Sequence, residues 1–100
     1  MKTDYGVTPH ESVAGLKKYY YGAIISLLYF KEDGYPQLDG RIQTLINQIH
    51  GSMKLFGNDP KVLAIIAWLE DARERPDQFR KDILDAANMV DQLKDGDYDV

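Results

Sequence analysis

Two histidines, a scatter of carboxylates and six serine or threonine hydroxyls are the side chains here that could do chemistry, and the sequence has no cysteine. Without cysteine, thiol nucleophiles, disulfides and thiolate-bound zinc are excluded. A helical metal site wants His–x3–His or Glu–x2–His on one face. His10 stands at the second position of a helix, and three residues before His50 stands Asn47 where a Glu would be needed. Neither histidine is therefore expected to hold a metal. Carboxylates fall in pairs: Glu70 with Glu74, Asp71 with Arg75, Asp82 with Asp85. Acid–base catalysis needs such groups in a pocket that shifts their pKa. Arg73, Arg80 and Lys81 stand close by, so solvated surface pairs at helical spacing are the expectation.

Other chemistries fail on spacing. Ser12, Ser26 and Ser52 have no histidine at a nucleophile's distance and no nucleophile elbow. The eight glycines form no phosphate-binding loop. Asp95, Asp97 and Asp99 alternate like the start of a calcium loop, without its sixth-position Gly or twelfth-position Glu. Lys17-Lys18-Tyr19-Tyr20-Tyr21 mixes basic and aromatic side chains as single-strand binders do. A net charge of −4 opposes that use. Residues 1–50 are neutral, with five basic and five acidic side chains; 51–100 hold seven and eleven. That excess suits a basic partner or simple solvation. The expectation is no enzyme, no cofactor, no metal and no nucleic acid.

The elements that position these groups are helical. One hundred residues make one domain. Thr8-Pro9-His10-Glu11 reads as a capping box with proline at the first helical position. Val13, Leu16, Tyr20, Ile24 and Leu27 then keep one face, and Gly34 suits a left-handed stop. Asp39 is placed to cap helix two, with the stripe Ile42, Leu45, Ile46, Ile49, Met53, Phe56. Asn58-Asp59-Pro60 opens helix three, with Val62, Ile65, Ile66, Leu69 and Ala72, and with Leu63 and Trp68 at its margins. Pro76 ends it. Helix four carries Phe79, Ile83, Ala86, Val90 and Leu93, with Lys94 suited to its dipole. The spacing predicts helices at about 9–33, 39–56, 60–75 and 77–95, and a frayed acidic tail over 96–100. The fold class is all-α, a small antiparallel four-helix bundle, or five helices if helix two breaks at Gly51. The apolar run Tyr19–Phe30 is 12 residues, too short to cross a bilayer. Residues 1–8 carry no secretory pattern, so a cytoplasmic protein is expected.

Helix one is the unusual element. Opposite its core stripe lie Gly15, Lys18, Gly22, Ile25, Ser26 and Tyr29, with Tyr19 and Phe30 on one flank. From Tyr19 onward it is apolar nearly all round, and such a helix is normally buried. Either the remaining helices wrap it or another chain covers it. Gly15 and Gly22, seven apart, would let a second backbone approach closely, and tyrosines are common interface anchors. Gly15, Tyr19, Gly22, Ile25, Ser26, Tyr29 and Phe30 are thus the candidate partner- or dimer-binding residues. The resulting expectation is a non-catalytic docking protein, homodimeric, that uses the Tyr19–Phe30 back face. Small acidic helical proteins of the immunity, antitoxin or phage-borne inhibitor type have this look of fold and charge. The competing expectation is a small-molecule sensor with its ligand in the core near Trp68.

Overall fold

A computed structural model describes residues 13–94. Four helices form: α1 (Val13–Glu32), α2 (Leu38–Gly51), α3 (Pro60–Glu74) and α4 (Phe79–Asp91). They close a ring in which α1 packs on α2 and α4, and α3 packs on the same two. The fold is the all-α antiparallel bundle that the sequence pattern predicts. Among the described residues, no helix is long and apolar enough to cross a membrane. The capping box at 8–11, His10, Ser12 and the acidic tail with its alternating aspartates lie outside the described residues.

The stripes become the core. Ile24, Val62, Leu69, Ile83 and Ala86 are wholly enclosed, and Phe56, Ile42, Ile49 and Val90 nearly so. Gly34 takes the left-handed conformation after α1, and Gly57 and Asn58 do so before α3. Asp59 caps α3 by accepting a 3.0 Å bond from the Lys61 amide, one residue before Pro60.

Four boundaries differ from the pattern, one of them the end of helix four, which stops at Asp91 rather than at about 95. Helix two does not run unbroken to residue 56: α2 ends at Gly51, and Met53–Phe56 is a separate 3₁₀ turn. Ser52 explains the break. Its buried hydroxyl donates to the Gln48 carbonyl at 3.1 Å and shares a 2.6 Å bond with the Tyr20 hydroxyl of α1. That side-chain bonding competes with the helical ladder at this point. Asp39 does not cap α2, which starts one residue earlier; its carboxylate is held by Arg73 of α3, at 2.8 and 2.9 Å. Helix four is preceded by a 3₁₀ turn, Pro76–Gln78, because the proline ring fixes the backbone there.

The end of α4 is closed from a distance. Lys17 on α1 donates through Nζ to the carbonyls of Leu93 at 2.6 Å and Asp91 at 3.4 Å. A cation on the last carbonyls of a helix satisfies acceptors and complements the dipole. Ile24→Ala should cost about 3–4 kcal/mol by opening a cavity in the centre, and Tyr20→Phe about 1–2 kcal/mol by removing the hydroxyl that bonds Ser52 and the Gln48 carbonyl. Urea unfolding of the two variants checks the ranking; equal losses would contradict this description of the core.

Candidate functional site

The core stripe of α1 is Leu16, Tyr20, Ile24 and Leu27. Residues about half a turn away must point outward, because a ring of four helices encloses only one stripe of each. Lys18, Gly22 and Tyr29 lie on that outer face and are exposed, and Ile25 beside them is half-buried. Tyr29 is 65% exposed, Tyr21 41% and Tyr19 38%. A methyl group built on Gly22 would meet no atom within 4 Å. The three other described helices therefore leave the outer side of α1 open.

The candidate residues divide into two neighbouring groups. Gly22, Ile25 and Tyr29 form the outward strip, with Gly15 half-buried about two turns before Gly22. Tyr19 and Ser26 turn toward α2 and line a groove between the two helices, together with Ala23, Tyr35, Gly40, Arg41, Thr44 and Gln48. The groove is open and holds about 570 Å³. Ser26 spends its proton on the Ala23 carbonyl, at 2.6 Å, so toward the groove its oxygen can only accept. Phe30 packs at the groove's end rather than beside Ser26, its ring 5.0 Å from that of Tyr35.

Arg41 is the functional feature that sequence reasoning missed. Its guanidinium stacks over Phe30, 4.5 Å from the ring centroid, and stands 5.7 Å from that of Tyr35. Cation–π contact on two rings steadies the side chain at the edge of the groove. No Asp or Glu lines the groove, although the chain is acidic. The helical spacing could not reveal this, because Phe30 and Arg41 meet only after the turn at Gly34 folds α2 back on α1.

No protein-family model, no curated protein and no solved structure matches the chain. The reading of the site accordingly rests on its own geometry.

The carboxylates of α3 and α4 divide into ion pairs at the surface and one buried carboxyl, Asp82, beside half-buried Asp71. Asp71 and Arg75 form a two-point pair at 2.9 and 3.0 Å, and Lys81 holds Asp85 at 2.8 Å. His50 is exposed at the end of α2. Among the described residues, no group of three His, Cys, Asp or Glu could hold a metal ion. Trp68 is half-buried against the core and does not line the α1–α2 groove. The expectation of a solvated Asp82–Asp85 pair fails. Asp82 is 3% exposed in the first turn of α4, and its Oδ2 is enclosed without a hydrogen-bond partner. Its neighbour is Asp71 of α3, not Asp85. The sequence hid this because residue 82 lies next to the stripe residue Ile83, at the edge where α3 closes over α4.

Burial pushes the Asp82 carboxyl up to about 6, and the hydrogen bond and like charge of Asp71 push the same way. Asp71 is held below the usual carboxylate range, first by Arg75 and then by Asp82. Neither carboxyl lines the α1–α2 groove. A raised carboxyl favours the protonated fold: Asp82's contribution is complete below about 4 and is lost as pH rises through about 6. Asp82→Asn, uncharged and able to donate to Asp71, should therefore be more stable than the parent at pH 8, by about 1 kcal/mol after solvent screening. Near pH 4 the two should be alike. Thermal unfolding across this range checks it, and a parallel pH profile for parent and variant would refute the buried-proton account.

Proposed function

We propose that this chain is a non-catalytic protein-binding module, an inhibitor or regulator of the immunity, antitoxin or phage-borne type, that works in the cytoplasm by docking a partner protein through α1. The observation that carries this reading is the set of exposed tyrosines, Tyr19, Tyr21 and Tyr29, around the open strip at Gly22. Tyrosine supplies a large, stiff, amphipathic contact at small entropic cost, which suits a recognition surface. Scattered single apolar residues on a surface need no explanation. Tyr29 lies on the outer face of α1, Tyr19 flanks it on the α2 side and Tyr21 on the α4 side, so the three rings surround the open strip. The acidic excess of residues 51–100 would favour a basic partner by long-range attraction.

The test compares three tagged chains in affinity capture from the source organism: the parent, Tyr29→Asp, and Leu63→Asp as an exposed control on α3. A partner held by the parent and the control, and weakened tenfold or more by Tyr29→Asp, is the expected result, the size expected of a central aromatic anchor. A partner retained equally by all three chains would overturn the assignment of the surface.

A second reading is a small-molecule sensor, and the observation in its favour is the α1–α2 groove rather than Trp68. Its volume is in the range of ligand sites, and its one charge is the ring-stacked Arg41. A carboxylate-rich compound library screened by thermal shift should then raise the melting temperature of the parent and leave Arg41→Ala unmoved. Equal shifts in both chains would place the ligand elsewhere.

A further inference from the structure

We infer that the groove between α1 and α2 binds a small amphipathic organic anion, its acid group on Arg41 and its apolar body lying over Ala23 and Leu27 toward Tyr19; this rests on the sensor reading above and names the ligand's class. Charge selects the acid end. Among the described residues, Arg41 is the one charged side chain that lines the groove. Arg73 and Arg75 sit on carboxylates, whereas Arg41 sits on the rings of Phe30 and Tyr35. A ring attracts a cation without neutralising it, so the charge still acts on an incoming anion. Asp39, two residues before Arg41, is turned to α3, where Arg73 holds both its oxygens. Gln37 lines the same end of the groove as Arg41. Its amide oxygen accepts from the Tyr35 hydroxyl at 3.3 Å, which leaves the amide N–H groups to donate.

Shape selects the apolar body. Leu27 and Leu45 are core residues whose outer edges form the floor. On α2, Gly40, Thr44 and Gln48 recur every four residues and so share the face that meets the groove. A methyl group built on Gly40 would meet no atom within 4 Å, so the space beside it is open. From Arg41 to Gln48 the helix rises about 10 Å. Tyr20 bonds the Gln48 carbonyl at 3.0 Å, which sets its neighbour Tyr19 level with that far end. Ser26, between the two ends, has given its proton to the Ala23 carbonyl and offers an anion no donor. The acid group is therefore placed at the Arg41 end, with the body running away from it.

A volume of about 570 Å³ suits a small ligand, and the open side limits how much of it the groove can enclose. The affinity is therefore modest, and a titration followed residue by residue is the way to see it.

The probes are octanoate, octyl phosphate, octanol and octylamine, which share one chain and differ in head group. Each is titrated into the isotope-labelled full chain and followed by the amide shifts in its NMR spectrum. Octanoate, octyl phosphate or both should move the amides of residues 23–27 and 40–48, and octylamine should not. The tighter of the two anions shows whether the acid group is a carboxylate or a phosphate. Arg41→Gln should weaken that binding about tenfold or more, the size of a lost charge-assisted hydrogen bond. Arg80→Gln, which removes the same charge from an exposed position on α4, should leave it unchanged. Gly40→Leu, which fills the open space, should abolish binding while the melting temperature holds or rises. Octanol or octylamine binding as tightly as octanoate, or Arg41→Gln binding as the parent does, would overturn the anion and leave a sensor with some other ligand. If none of the four probes moves those amides, the groove takes no amphipathic anion and the inference falls. The library screen above then still judges the sensor reading, because it does not depend on an octyl body.

Discussion

A ring of four helices buries one stripe from each, and everything distinctive about this molecule follows from a helix that carries apolar side chains beyond its stripe. In α1 the enclosed residues are Leu16, Tyr20, Ile24 and Leu27, and they suffice to join it to α2 and α4. The hydroxyl of Tyr20 adds a buried tie to Ser52 and the Gln48 carbonyl, which fixes where α2 must end. Lys17 adds a second tie, onto the last carbonyls of α4. Outside the core seam, the rings of Tyr21 and Tyr29 are exposed, and Tyr19 is exposed although its ring lies 5.5 Å from that of Tyr20. They remain on the surface, where their burial by another molecule is the favourable process still open to them.

Charge organises the rest of the surface in a way that leaves the same region distinctive. Asp39, Asp71 and Asp85 each have a cation close by: Arg73, Arg75 and Lys81. Exposed pairs of this kind add little stability, but they keep the α2–α3–α4 side polar and solvated. The α1–α2 side lacks carboxylates along its groove, and Arg41 there is steadied by two aromatic rings instead of an acid. The chain thus presents one acidic, well-solvated side and one aromatic side with a single oriented cation.

Most of the architecture was legible from the residues because helical periodicity is a local property. Every residue assigned to the four stripes is buried except Val13 and Met53, which are half-buried, and Gly34 and Asp59 act as the stop and cap that their types suggest. What the residues could not disclose depends on distant contacts. Asp39 looked like a cap, yet Arg73, thirty-four residues on, holds it. Asp82 looked solvated, yet α3 closes over it and leaves one oxygen unpartnered. The openness of the outer side of α1 belongs to the same class. Its apolar character could be read from spacing, but whether the other helices wrapped it depended on how the ring closes.

The central claim is that the outer side of α1 is covered when the protein does its work. Hydroxyl-radical footprinting read by mass spectrometry compares each tyrosine in dilute purified protein with the same tyrosine in concentrated native extract. The account predicts that Tyr19 and Tyr29 react readily when dilute and become protected in the extract, while exposed Leu63 on α3 reacts equally in both. Equal reactivity of Tyr29 in the two settings would contradict it, and would leave the tyrosines as solvent-facing residues of a bundle that docks by some other side.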